Sequence, residues 1–270
     1  MSSLRQKVKR FTPQPVWQVG RESWLAFKHA LGWPLATLHP WRRVSLLRLA
    51  KLKDAHRGQR AFILGNGPSL ARTDVRRLAD EQTFGMNRAY LAFPKWGFTT
   101  SYFVCVNDLV IEQCLEDIQR LSIPKFLSWR ARRLLQLDAT TIFLRTTYER
   151  PTFARDARAR LWEGATVTYV ALQLAFHMGF DPVILIGVDH NFVSKGAPNR
   201  TVVSQGQDRD HFDTKYFARG FRWQLPDLET SEKAYKMARK AFETDGRQVL
   251  DATLEGQLTI FPKVDYNSLF

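Results

Sequence analysis

The sequence predicts an α/β protein, a Rossmann-like, mainly parallel sheet with helices on both faces, preceded by a basic helical N-terminal extension. Two continuous apolar runs, Ala61-Phe-Ile-Leu64 and Pro182-Val-Ile-Leu-Ile-Gly-Val188, have the length and composition of strands buried on both faces. Strand-like and helix-like segments alternate along the chain between and after them, the pattern of a parallel sheet joined by crossover helices. Several of the strand-like segments finish in Gly, Asn or Asp, polar residues that a parallel sheet gathers along one edge.

The elements follow in order. Residues 1–58 form a basic, Trp-rich amphipathic extension, and residues 59–270 the Rossmann-like domain. Over residues 16–38, Trp17, Trp24, Phe27, Leu31 and Leu35 recur at helical spacing, with Arg21, Lys28 and His29 between them. Pro40 separates that helix from a second basic-apolar segment, 41–53. Of the chain's net charge of +14, residues 1–60 supply +11, from 13 Lys and Arg against Glu22 and Asp54, and they hold four of the eight tryptophans. A basic helix with indoles on one face suits an anionic membrane surface, and it equally suits packing on the domain. Nucleic acid is the weaker partner, because no recognition motif accompanies the charge. The first residues lack the apolar core of a secretory signal, and no apolar stretch reaches 18 residues. The expected location is cytoplasmic, peripheral at the inner face of the membrane. A homo-oligomer is compatible with all of this.

The first strand, 61–64, runs into Gly65-Asn66-Gly67-Pro68-Ser69. Glycine at 65 and 67 leaves room for positive φ and for close approach of a ligand, and Ser69 can cap a following turn whose N–H groups attract phosphate. A short polar turn at 73–80 precedes a strand at 83–88 that ends in Asn87-Arg88. A third strand, 100–106, ends in Asn107-Asp108 and leads into a helix to about residue 120. Strands follow at 125–128 and 141–144, with a basic helix over 129–137 between them. An apolar helix over 168–178 is closed by Gly179. The strand at 182–188 ends in Asp189-His190. Residues 191–227 form a long polar loop with embedded aromatics, a mobile lid, before a helix at 229–244 and a short strand at 248–251. Cys105 and Cys114 read as reduced core thiols.

Four strand ends carrying Asn66, Asn87, Asn107 and Asp189 would converge on one crevice, where asparagines offer both donors and acceptors to a nucleoside. His211, among Asp208, Asp210 and Asp213, is in a setting suited to proton transfer and is the candidate base. Asp189, Asp210 and Asp213 are the carboxylates that would hold a metal ion, though no spacing fixes such a site.

These motifs carry a resemblance. Gly-Asn-Gly-Pro-Ser-Leu, Phe-Gly-Met-Asn-Arg, the run from Thr166 to Phe180, and Ile-Leu-Ile-Gly-Val-Asp189 resemble the family typified by archaeal 6-hydroxymethylpterin diphosphokinase. That family also supplies the core of motility-associated flagellin glycosyltransferases, and the order of motifs is similar to that of Campylobacter-type sialyltransferases. The resemblance covers residues 59–261. It implies a glycosyltransferase-like enzyme that moves a sugar, sialic-acid-like in the closest analogy, from a nucleotide-activated donor (CMP-linked favoured) to a glycan or glycolipid. It assigns Gly65, Asn66, Gly67, Asn87, Asn107 and Thr166 to the donor nucleotide and its sugar. Beside these, Pro68, Ser69, Arg88, Thr168 and His190 are read as further nucleotide or substrate contacts, and His211 and Asp189 as the catalytic residues. The alternatives are a Mg-ATP-dependent diphosphokinase and a non-catalytic nucleotide-binding protein. The chain departs from the sialyltransferase pattern at two places. Glu163-Gly164-Ala165 stands where an arginine is expected, and no tyrosine pair follows Asp189; Lys215, Tyr216, Arg219 and Arg222 are the substitutes for stabilising the leaving phosphate.

Overall fold

The computed structural model describes residues 36–270. The expected helix over residues 16–38 therefore lies almost wholly outside the described residues. The chain divides into two compact units, Met1–Val44 and Ser45–Phe270. Helix α1 (Pro40–Leu52) begins at a proline, which lacks only an N–H that the first helical turn leaves unpaired. From Ser45 onward α1 belongs to the second unit. Ser45 Oγ accepts from Phe143 N at 3.0 Å, and Leu49 is fully buried.

The second unit continues with β1 (Ala61–Leu64), β2 (Gln82–Met86), the short α2 (Phe93–Trp96), β3 (Tyr102–Cys105), α3 (Asp108–Gln113), α4 (Leu115–Arg120) and β4 (Lys125–Ser128). Then come β5 (Thr141–Thr147), β6 (Arg160–Trp162), α5 (Val167–Met178), β7 (Val183–Ile186), β8 (Thr201–Val203), β9 (Arg222–Gln224), α6 (Leu228–Thr244) and β10 (Val249–Asp251). Eight strands form one sheet in the order β10-β7-β1-β2-β3-β4-β5-β6, every neighbouring pair parallel. β8 and β9 pair separately as an antiparallel hairpin.

Side-chain alternation in β1 shows how the sheet is covered. Ala61 and Ile63 join a core with α5, α6 and the end of α1, whereas Phe62 and Leu64 join a second core with the short helical turns that follow β1 and β2. Helix α5 is buried along nearly its whole length and is closed by Gly179 at φ 89°. The strand order places the functional edge. From β1 the chain steps outward through β2 to β6, then returns to lay β7 on the other side of β1. The crevice beyond the carboxyl ends of β1 and β7 is thus a topological switch point, where open α/β sheets hold ligands.

Two local expectations need correction. The basic segment 129–137 is not an α-helix; only a 3₁₀ turn forms at Trp129–Arg133, because Arg130 is drawn into the network around Asp108. The loop 191–227 is also not wholly irregular. It carries the β8–β9 hairpin and an aromatic cluster in which Tyr216 and Phe217 are buried.

Candidate functional site

Gly65 and Gly67 sit at the switch point, and the reason for glycine is contact, not conformation. Neither has positive φ, which corrects the expectation from sequence. A Cβ on Gly65 would lie 2.1 Å from Gly187 O, and one on Gly67 would lie 1.9 Å from Asp189 Oδ2. The turn after β1 therefore nests directly against the end of β7. Asp189 holds it there: Oδ1 accepts from Ser69 N at 3.0 Å and Oδ2 from Ser69 Oγ at 2.7 Å. Gly67 N completes the seam by donating to Gly187 O. Asp189 is placed as the clamp of the glycine turn, and Ser69 is buried beneath it.

A two-chambered cleft opens in front of this seam. An inner chamber of about 140 Å³ is bounded by Asn66, Gly67, Thr166, Thr168, Asp189, His190 and Tyr235. An outer chamber of about 540 Å³ reaches Asn87, Asn107, Tyr148, Glu163 and Trp223. Ala165, Thr166, Val167, Phe192, His211, Pro226 and Asp227 line both. Asn66, Asn87, Asn107 and Asp189 thus reach one cleft. The Oδ1 atoms of Asn66 and Asn87 are buried without a hydrogen-bond partner in the protein. Such atoms are costly unless something satisfies them, and both belong to the cleft lining. Asn107 differs: its Oδ1 caps α3 through Leu109 N and Val110 N, leaving only its amide N–H groups for a ligand.

Thr166 caps α5 by accepting from Thr168 N at 3.3 Å, and its hydroxyl lies 3.3 Å from Tyr235 OH. The N-terminus of this 12-residue helix, preceded by Gly164 and Ala165 in the left-handed region, lines the cleft through Thr166, Val167 and Thr168. Thr166 N donates to Glu163 O and Tyr169 N to Thr166 O, so Val167 N is the N–H left for a ligand. His190 Nε2 lies 3.1 Å from Glu232 Oε1. His211 Nδ1 lies 2.8 Å from Asp208 Oδ2, an oxygen that also accepts from Phe217 N. A carboxylate accepts, so Nδ1 carries the proton and Nε2 keeps the basic lone pair. The ring is fixed on both sides of that bond: it stacks on Tyr216, centroids 4.0 Å apart, and meets Phe217 edge-on.

Other predicted residues are placed elsewhere. Arg88 leaves the cleft and ties down the loop. Its Nη1 donates to Tyr216 O, and its backbone N to Tyr216 OH. Tyr216 is buried beneath His211, Arg222 pairs with Glu112, and Lys215 and Arg219 are exposed outside the lining. None of these four is placed to meet a leaving phosphate. Pro68 is likewise outside the lining. The carboxylates weighed for a metal do not converge. Asp210 accepts from Val193 N and from Ser194 Oγ, and Asp213 accepts from Lys215 N. Among the described residues, no three His, Cys, Asp or Glu side chains could hold a metal ion.

One part of the site escaped sequence reading. Glu163, 5% exposed, lies in the outer chamber with Oε1 2.8 Å from Arg130 Nη2, yet off the N–H direction, so that the oxygen lacks a hydrogen bond. Burial raises its carboxyl above the usual range, against the pull of Arg130. Arg130 also binds Asp108 through Nε at 2.9 Å and Tyr148 OH through Nη2 at 2.8 Å. The contributing residues are scattered over positions 108, 130, 148 and 163 on four different segments, so no motif announces them.

Comparison with known proteins bears on this architecture. A family model described as 6-hydroxymethylpterin diphosphokinase MptE-like matches residues 42–195. Among solved structures, the chain is similar in fold to the MAf glycosyltransferase from Magnetospirillum magneticum AMB-1. The TM-score is 0.51 at 16% identity, covering 86% of this chain and 40% of that one. The chain thus spans well under half the length of that protein. No curated protein matches the sequence.

Proposed function

The chain belongs to the 6-hydroxymethylpterin diphosphokinase MptE-like family, and on that premise we propose that it is a nucleotide-dependent transferase of the glycosyltransferase kind. The nucleotide lies along the cleft from the inner chamber to Asn87 in the outer one, and a sugar passes from it to a hydroxyl acceptor. The observation that carries this reading is the pair of buried, unpartnered amide oxygens, Asn66 Oδ1 and Asn87 Oδ1, in a switch-point cleft that His211 also lines. A nucleoside's N–H and O–H groups are the donors such oxygens lack. In the transfer, His211 Nε2 takes the acceptor hydroxyl proton while Asp208 steadies the imidazolium. The acceptor oxygen bonds to the anomeric carbon, and the sugar–phosphate C–O bond breaks with its electron pair going to phosphate. The α5 N-terminus faces the departing anion.

The charge of the cleft favours one kind of donor. Among the described residues, no lysine or arginine lines either chamber. One phosphodiester charge suits a single helix N-terminus, so a nucleoside monophosphate sugar, CMP-linked, is the donor we favour over a diphosphate sugar. A diphosphokinase would need Mg²⁺ beside ATP; Asp189, Asp210 and Asp213 are separately engaged and do not fit that ion. The basic segment 1–58 would hold the enzyme at an anionic membrane surface. Calorimetry of the full chain against CMP, UDP, GDP and ATP, with and without Mg²⁺, tests the reading. Binding of CMP without metal is expected, and binding of ATP only with Mg²⁺ would replace it with the diphosphokinase.

A further inference from the structure

The outer chamber has a chemistry unlike that of the inner one. Its wall holds two aromatic surfaces that remain accessible: Tyr148, 60% exposed, and the half-buried Trp223, which is stacked on Phe217 with centroids 5.2 Å apart. Between lie polar groups with unused capacity, namely Glu163 Oε1, which has no hydrogen bond, and the amide N–H groups of Asn107. The charge near them is spoken for. Arg130 is the cation beside Glu163, and its guanidinium already serves Asp108, Thr146 and Tyr148. Asp227 lines both chambers, so Glu163 is the carboxylate particular to the outer one, where it favours a hydroxyl donor over an anion. A pyranose without charge fits each of these features. Its C–H face lies on an aromatic ring, its hydroxyls donate to a carboxylate oxygen, and its oxygens accept from amides.

We propose that the Trp223 and Tyr148 side of the outer chamber is the acceptor subsite and takes an uncharged, hydroxyl-bearing sugar ring, seated against those two rings with a hydroxyl donating to the Glu163 carboxylate. This rests on the sugar-transfer reading above and narrows its acceptor to a neutral saccharide. His211, which lines both chambers, then stands at their junction, where a proton must leave the acceptor hydroxyl as the new bond forms.

The test is saturation-transfer NMR on the full chain, with methyl glucoside, methyl galactoside and N-acetylglucosamine against N-acetylneuraminic acid. CMP and UDP are titrated in parallel. At least one neutral probe is expected to bind, to outcompete the acidic one, and to bind about tenfold more weakly to Trp223→Ala, the size of one lost stacking contact. Glu163→Gln should show the same selective loss. Because that substitution leaves Arg130 short of a partner, Trp223→Ala carries the test if thermal melting shows Glu163→Gln misfolded. Stronger binding of N-acetylneuraminic acid, or equal binding of the neutral probes by wild type and Trp223→Ala, would overturn the subsite. Nucleotide binding without any saccharide binding would also overturn it, while leaving the transferase reading intact. Saccharide binding without nucleotide binding would uphold the subsite and remove the transferase reading.

Discussion

A methyl group added at Gly65 would lie 2.1 Å from a backbone carbonyl, that of Gly187, whereas one at Gly67 would strike chiefly the Asp189 side chain and lie 2.9 Å from the same carbonyl. A side chain can turn away and a strand end cannot. Gly65→Ala is therefore expected to be the more damaging of the two, by about 1–3 kcal/mol or more in urea unfolding, the scale of an overpacked core. Gly67→Ala should lose less stability but free the Asp189 carboxylate from Ser69. Asp189→Asn separates clamp from catalyst. It exchanges a charged acceptor for a neutral one at Ser69 N and is expected to cost about 1–2 kcal/mol. At the opposite wall, His211→Gln is expected to lower transfer by about a hundredfold or more, as removal of a general base does. Nucleotide affinity in the same preparation should fall far less than the rate. Asp208→Asn should reproduce much of that loss, because the amide no longer fixes the tautomer that leaves Nε2 basic; a wild-type rate in either variant would exclude His211 as the base.

Helix α5 joins the site to the core, and its far end carries a proton-sensitive contact. His177 is buried, its Nε2 donating to Leu49 O in α1 at 2.9 Å, and burial lowers its pKa below the ordinary 6.5. The unfolded chain then binds a proton that the folded chain refuses, so stability falls as pH drops below about 6.5. Asp156, held at about 2 chiefly by hydrogen bonds from Arg158, acts in the same direction at lower pH. Its contribution is present above the ordinary carboxyl value and is lost as pH falls toward 2. The urea midpoint should therefore decline between pH 7 and 5, and His177→Gln should flatten that decline; an unchanged slope would place its origin elsewhere. What could be read of such elements from sequence follows how local their causes are. β1 and β7 are legible because burial on all sides leaves an unbroken apolar run, and α5 because its mostly apolar sequence is closed by Gly179. β6 is not, since Arg160, Leu161 and Trp162 are too few to show a period and form a strand only by pairing with β5. The convergence of Asn66, Asn87, Asn107 and Asp189 follows from parallel topology and was foreseeable. The pairing of Asp208 with His211 lies within three residues and was visible as proximity. The reason for Gly65 lies 122 positions away at Gly187, and the Glu163–Arg130–Asp108 network spans three segments, so neither could be seen before the chain was folded.

At the scale of the whole molecule, charge and chemistry are kept apart. The chain has 40 lysines and arginines and a net charge of +14, of which +11 lies in residues 1–60. Among the described residues, the cleft lining contains none of the 40. On the transferase reading proposed above, the leaving anion is met by the α5 N-terminus, and the cations of residues 1–60 are left for an anionic surface. Among the described residues no helix is long and apolar enough to cross a membrane. The proposed attachment of the basic segment to an anionic surface is electrostatic in part. The full chain should float with vesicles containing phosphatidylglycerol and not with vesicles of phosphatidylcholine alone. It should be released as salt approaches about 1 M, where charges more than about 3 Å apart are screened. Replacing the six Lys and Arg at positions 5, 7, 9, 10, 21 and 28 with Gln tests the source of the attraction. Each is worth about 1 kcal/mol near such a surface, so flotation should collapse while calorimetric nucleotide binding is unaltered. Flotation that survives both the salt and the substitutions would transfer the role from charge to the tryptophans at 17, 24 and 33, and undisturbed flotation on neutral lipid would point the same way.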